Sequence, residues 1–285
     1  MPSMLDLRRR IRSVKNTQQI TRAMKMVAAA RLRRSQERVL NARPYATQMR
    51  HFLSSLAART EDRSHPLLTG RPVRKVLLIL VTADRGLAGA FNANLIRAAQ
   101  KYLAEHRDVE ISIMAAGRKG RDFFRKRQVP MTAEYANIFQ RRVEFPRAQE
   151  VAAHVIELYS KQEVDAVDLI YSEFKSLLTA RLGQIRLLPF KPEEAPKGET
   201  LVDYIYEQPP EEIFAHLLPR YIESQIYLAL LESQASEFAA KMTAMDTATR
   251  NATELIGSLT LNMNRVRQAA ITKELIEIVS GAAAL

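Results

Sequence analysis

The chain of 285 residues predicts an α/β fold plus a long coiled coil: two long antiparallel terminal helices bracketing an open Rossmann-like α/β domain. Three observations carry that reading. The last seventy residues hold an apolar stripe stepping by four and three, through Leu217, Tyr221, Ser224, Leu228, Leu231, Ala235, Phe238, Met242, Met245, Thr249, Ala252, Ile256, Leu259, Met263, Val266 and Ala270. A mean step of 3.5 residues keeps one seam turned to one partner helix. The first sixty residues are almost free of helix breakers, with no proline between Pro2 and Pro44 and no glycine before Gly70. Between these ends, short aliphatic runs alternate with helical patterns, the signature of a sheet with crossover connections.

In the first segment, residues 1–59, Leu5, Leu7, Ile11, Val14, Ile20, Met24, Val27, Leu32 and Val39 recur at helical intervals. One helix is expected over 3–58, bent near Pro44. A polar stretch over 59–74 ends it. The middle segment, 75–208, should contain strands at 76–82, 109–115, 131–138, 164–173, 180–190 and 201–206. Helices are expected up to Tyr102 and over 118–127 and 147–161. In the last segment, 209–285, Pro209, Pro210, Glu211 and Glu212 open a helix. Pro219 should kink or split it before the coiled-coil rod begins. Gly257 is the sole glycine or proline between Pro219 and Gly281, and a helix of about 60 residues would run about 90 Å. Laying the two rods antiparallel in one chain buries both stripes, with Val14 facing the 263–276 region; self-dimerisation is the competing arrangement.

Charge is concentrated at one end. The formal net charge is +12, and residues 1–50 carry thirteen Lys or Arg against Asp6 and Glu37. That excess suits an acidic partner: nucleic acid, anionic lipid or an acidic protein surface. An Arg-rich start also resembles a transit peptide, but it is poor in Ser and stays helical past residue 50. With no Cys in the chain, disulfide and thiolate chemistry are excluded. The longest aliphatic run, at 76–81, is far short of the roughly 20 residues that span a bilayer.

No catalytic constellation emerges. The turn TADRGLAGAFN at 82–92 sits where open α/β sheets bind ligands, yet has neither GxGxxG spacing nor a P-loop GK[ST]. Gly86 and Gly89 are read as easing a tight turn, with Asp84 or Asn92 making local hydrogen bonds. The five histidines never come within thirteen residues of one another and give no ligand pattern. No catalytic residue, cofactor or metal is therefore expected, nor tight ATP binding. The extreme C-terminus is different: Ile271, Leu275, Ile276, Ile278 and Val279 spread over an arc wider than a two-helix seam uses. Such an arc asks for a socket on another protein.

Three colinear stretches, RIRSVKNTQQITRAMKMVAAA (10–30), TADRGLAGAFN (82–92) and RVRQAAITKELIEIVSG (265–281), resemble the gamma subunit of the F-type ATP synthase, bacterial type. The resemblance runs end to end. It implies a non-catalytic rotor shaft that turns inside a ring of alpha and beta subunits and couples proton flow to ATP synthesis, or hydrolysis to pumping. It also implies contacts with the epsilon subunit and the membrane c-subunit ring, peripheral to the membrane on the cytoplasmic face of the bacterial plasma membrane. By that likeness Met24 and Lys25 lie near an acidic segment of beta, and Arg267, Gln268, Thr272 and Ile276 make alpha/beta-ring contacts. Tyr204, Tyr206 and Glu207 would belong to a loop facing the membrane rotor. The paired-cysteine insertion of chloroplast members is absent, and Ala88 stands where cysteine is common. The alternative is a basic coiled-coil nucleic-acid-binding protein, which would use the Arg cluster on phosphates.

Overall fold

A computed structural model describes residues 3–59, 65–140, 142–177, 179–192 and 209–283. The expected strand at 201–206 lies outside them. Two compact units divide the chain: Met1–Ala29 with Lys241–Leu285, and Ala30–Ala240.

Helix α1 runs Met4–Arg59 and helix α5 runs Pro210–Ala283. At the start of α1 the Ser3 Oγ accepts the Asp6 N–H at 3.2 Å while the Ser3 N–H donates to Asp6 Oδ2 at 3.3 Å. This reciprocal pair satisfies donors that the first turn cannot. Pro210 fits the first turn of α5, where its missing N–H costs nothing, and Glu211 and Glu212 face the positive end of the helix dipole.

Helix α1 passes through Pro44 in one piece, as expected, and α5 likewise runs through Pro219 without the split that was one of the two outcomes expected there. Each proline frees the carbonyl four residues earlier. Those carbonyls belong to Leu40, which is 54% exposed, and to exposed Ala215. Both sit on the wet side of their helix, where water can replace the lost bond.

In the first unit the two helices are antiparallel. Gln18 Nε2 donates to Thr253 Oγ1 at 2.7 Å, the Thr21 and Thr249 hydroxyls lie 2.8 Å apart, and Lys25 Nζ donates to Asp246 at 2.6 Å. Positions climb on one helix as they fall on the other. Leu7, Ala28, Met245 and Ala252 are buried along this part of the chain. The register corrects one expectation: four residues before Gln18, Val14 falls opposite about Gly257, not in the 263–276 region.

Among the described residues the second unit is built on a five-stranded sheet ordered β3-β2-β1-β4-β5. Its strands are β1 (Lys75–Val81), β2 (Glu110–Ala116), β3 (Met131–Tyr135), β4 (Ala166–Phe174) and β5 (Ala180–Leu188). The first four are parallel and β5 is an antiparallel edge. Helices α2 (Phe91–Glu105), α3 (Arg118–Arg125) and α4 (Phe145–Ser160) make the crossovers. Helix α4 begins two residues before the expected 147 because Pro146 is tolerated in a first turn.

Residues Val76 to Val81 of β1 are all buried, as a strand covered on both faces must be. Val76, Leu78 and Leu80 join Leu95, Ala99 and Tyr102 of α2 and Phe124 of α3 in one core. At roughly 25 cal/mol per Å2 of apolar surface, these side chains dominate the stability of the unit. Beneath them the Tyr102 hydroxyl donates to Asp168, which also receives Arg186 Nε at 2.7 Å and Nη2 at 2.8 Å. Burial, then that carboxylate, push the Tyr102 phenol well above its ordinary range.

Within this unit α1 and α5 are again antiparallel, through Arg43 with Glu232 and Gln225 with the Ala46 carbonyl. Residues 229–239 of α5 are buried on every face, Glu232, Ser233, Gln234, Ser236 and Glu237 included. That exceeds a one-sided seam, because the far side of the helix meets the sheet.

Candidate functional site

Chain order leaves β1 in the middle, with β2 and β3 added on one side and β4 on the other. The crevice beyond the carboxyl ends of β1 and β4 is thus the topological switch point, where such sheets take ligands. Here the chain itself fills it. Strand β4 outruns its pairing with β1, which ends at Ile170. Its next backbone groups need other partners, and α5 supplies them. Ser233 Oγ accepts the Ser172 N–H at 3.1 Å, Ser236 Oγ donates to the Ser172 carbonyl, and Glu232 Oε2 accepts the Phe174 N–H at 3.3 Å. Arg43 Nε donates to the other Glu232 oxygen at 3.0 Å, and its Nη2 reaches the Phe174 carbonyl. Burial raises the Glu232 pKa, and the Arg43 guanidinium opposes the rise.

The 82–92 turn is a structural clamp. Asn92 Oδ1 accepts the Ala83 N–H at 2.9 Å, the local bond expected. Asp84, only 5% exposed, works over a longer range. Its carboxylate accepts the N–H groups of Arg118 at 3.0 Å, Asn137 at 2.8 Å and Phe139 at 2.7 Å. One side chain thereby ties the start of α3 and the segment after β3 to the end of β1. Gly89 takes the left-handed conformation at φ 53°, whereas at the other position it is Leu87, not Gly86, at φ 65°. Three amides already spoken for by Asp84 cannot cradle a phosphate.

Of the expected contact residues, Met24 and Lys25 are half-buried on α1, and Lys25 is engaged with Asp246. Its ammonium, first by hydrogen bonding, holds the Asp246 carboxyl below its usual range. Arg267, Gln268, Thr272 and Ile276 are all exposed, and Thr272 returns its hydroxyl to the Gln268 carbonyl at 2.9 Å. Tyr204, Tyr206 and Glu207 lie outside the described residues. The structure therefore gathers Met24 and Lys25 on α1 and the other four on α5, in no common pocket.

The register explains the exposure. Continued from Gln18 and Thr253, it brings Ser3 opposite about residue 268, so the last 15 or so residues of α5 pass the start of α1, about 23 Å of helix. Along that overhang Ile271, Leu275, Ile276, Ile278 and Val279 are 49 to 68% exposed. No group of three metal-ligating side chains occurs among the described residues. No helix among them is long and apolar enough to cross a membrane.

Comparison with known proteins agrees on one relationship. The ATP synthase family model, ATP-synt, matches residues 3–285. The chain is 54% identical over 288 residues to the ATP synthase gamma chain of Solibacter usitatus, covering all of this chain and 99% of that one. It is 49% identical to the gamma chain of Heliobacterium modesticaldum, with both chains covered in full. Among solved structures it is similar to a chain of the Euglena gracilis mitochondrial ATP synthase at TM-score 0.71 and 22% identity, over 99% of this chain and 94% of that one. A chain of the central stalk and c-ring of the Tetrahymena thermophila mitochondrial enzyme matches at TM-score 0.60 and 27% identity, covering 80% and 99%. The nucleic-acid-binding alternative finds no support among these relatives.

Proposed function

The chain belongs to the ATP synthase gamma-chain family, the central rotor stalk of that complex, and from this premise we propose how its surfaces are used. It catalyses nothing itself. Its overhanging end of α5 turns in a socket formed by alpha and beta subunits, with Arg267, Gln268, Thr272 and Ile276 at the contact. Met24 and Lys25 meet an acidic segment of beta. Tyr204, Tyr206 and Glu207 face the c-subunit ring, with epsilon bound beside the α/β domain, on the cytoplasmic face of a bacterial plasma membrane.

One observation carries this reading: a helical end unpaired within its own unit that exposes five large apolar side chains. In water such an arc is a liability, whereas inside an apolar sleeve it is a low-friction bearing with no directional bonds to break. An asymmetric shaft can then hold otherwise equivalent catalytic sites in different conformations by touching each one differently. Replacing Leu275 and Ile278 together by Glu, in the whole complex, should weaken assembly with alpha and beta and uncouple ATP turnover from proton pumping. Unchanged assembly and coupling in that variant would sink the proposal.

A further inference from the structure

The rotor reading leaves unused a basic cleft in the second unit. Arg31, Arg34, Ser35 and Arg38 of α1 line it from one side and Arg142 from another, around a cavity of about 300 Å3. The i, i+3, i+4, i+7 spacing sets the four α1 residues on one face. Among the described residues no carboxylate lines the cleft. None of the four arginines makes a hydrogen bond or ion pair among the described residues, whereas Arg33, on another face, pairs with Glu37. Burial first, then the Arg142 and Arg34 cations, depress the Arg38 pKa, with Tyr227 opposing the fall.

Ser35 adds an independent sign. It is 2% exposed, and its Oγ has no partner among the described residues. A helical hydroxyl ordinarily returns to the carbonyl four residues back, as those of Thr17, Thr249 and Thr260 do here. The Ser35 hydroxyl is buried and left unsatisfied beside four uncompensated guanidinium groups.

We propose that this cleft binds a phosphoryl oxyanion, with Arg34, Arg38 and Arg142 supplying charge and Ser35 Oγ a hydrogen bond. Donors converge from a helix face and from the segment after β3, which suits a tetrahedral group with several terminal oxygens better than a planar carboxylate. Phe139 and Phe238, each 8% exposed, line the cleft with apolar surface, which strengthens the electrostatics beside them. The proposal goes beyond the rotor function and does not depend on it.

Calorimetry on the full chain at physiological salt, with pyrophosphate and inorganic phosphate as probes, tests it. One saturable site is expected, tighter for pyrophosphate. Arg38→Gln and Ser35→Ala should each weaken it by about tenfold, the scale of one lost charge-assisted hydrogen bond. Ser35→Ala removes only an unpartnered hydroxyl, so its unfolding midpoint should match the parent, separating lost binding from lost fold. The remote pair Arg8→Gln with Arg9→Gln should leave binding intact. ADP binding no tighter than pyrophosphate identifies the free anion as the ligand; ADP binding at least about tenfold tighter identifies a phosphoryl group carried by a nucleotide. The proposal is overturned by the absence of saturation up to about 10 mM, or by equal losses in the Arg8 and Arg9 variant. An Asp-rich peptide that binds the cleft and is not displaced by pyrophosphate also overturns it.

Discussion

Removing the Asp84 carboxylate should release two segments at once, and the geometry sets the size of the loss. Asp84→Ala strands three backbone N–H donors now held at 2.7 to 3.0 Å. Phe139 is buried, so its amide cannot turn to water, whereas Arg118 is half-exposed and Asn137 exposed, and both can be partly rehydrated. With about 1–3 kcal/mol for each unsatisfied buried group, roughly 2 for Phe139 and 1 for each of the others give about 4 kcal/mol. Asp84→Asn keeps one acceptor oxygen for Arg118 and Asn137 but turns an amide N–H2 on the Phe139 N–H, costing about 2 kcal/mol. Amide exchange of Leu78 and Leu80 reads this directly, since the α/β sheet can then be followed apart from the helices. Protection should fall by nearly three orders of magnitude in Asp84→Ala and by one to two in Asp84→Asn, at about 1.4 kcal/mol per tenfold. A loss under about 1 kcal/mol for Asp84→Ala, or an inverted order, would show that water already serves these amides.

Gly117→Ala should prevent stable folding of the α/β unit, because at φ 115° an added Cβ would lie 1.9 Å from the Thr82 carbonyl oxygen; a soluble variant with parental exchange rates would refute this. Cysteines at Val14 and Ile256, each one heptad from the Thr21–Thr249 pair, should cross-link within one chain far faster than Val14 with Met263, and the reverse preference would shift the register. Arg43→Gln should destabilise the protein in a pH-dependent way. The Glu232 pKa is already raised in the folded state, and loss of the guanidinium raises it further. The stability deficit should therefore grow as pH rises through the folded Glu232 pKa and shrink, in acid below that pKa, to the share of the lost Phe174 carbonyl bond; a pH-independent deficit in urea titrations would disprove the linkage. Asp246 gives the opposite sign: its depressed pKa makes the Lys25 pair stabilising above the ordinary carboxylate range, and acid titration through the folded value should abolish the benefit, a difference that Lys25→Met should erase.

What the sequence made legible follows from which interactions are local. Residues 76–81 read as a buried strand because every one of them is apolar, and the terminal helices read from long stretches without Gly or Pro. The role of Asp84 was half visible: a turn aspartate suggests local bonds, but its partners lie 34 to 55 residues away and follow from the sheet order alone. Glu232 and Ser233 showed nothing in sequence, since a polar pair on a long helix normally faces water. Only the overrun of β4 past β1 turns them into partners for a strand. Pro219 misled for the same reason, because the cost of a helical proline depends on whether the freed carbonyl is wet.

The register of the antiparallel pair shows most clearly where pattern stops and chemistry decides. An apolar stripe repeating every seven residues looks nearly the same after a slip of one heptad. Val14 was expected against 263–276 and falls opposite about Gly257, close to one such slip away. Burial of Leu, Met and Ala would hardly distinguish the two alignments. The polar pairs do: slipping by a heptad would separate Lys25 from Asp246 and part both Gln18 from Thr253 and Thr21 from Thr249. Each pair is modest alone, about 0.5–1.5 kcal/mol net for a hydrogen bond, but all three vote for one alignment and none survives the other. The same alignment fixes how far α5 outreaches α1 in this unit, so three modest polar contacts set the length of the apolar end on which the proposed bearing depends.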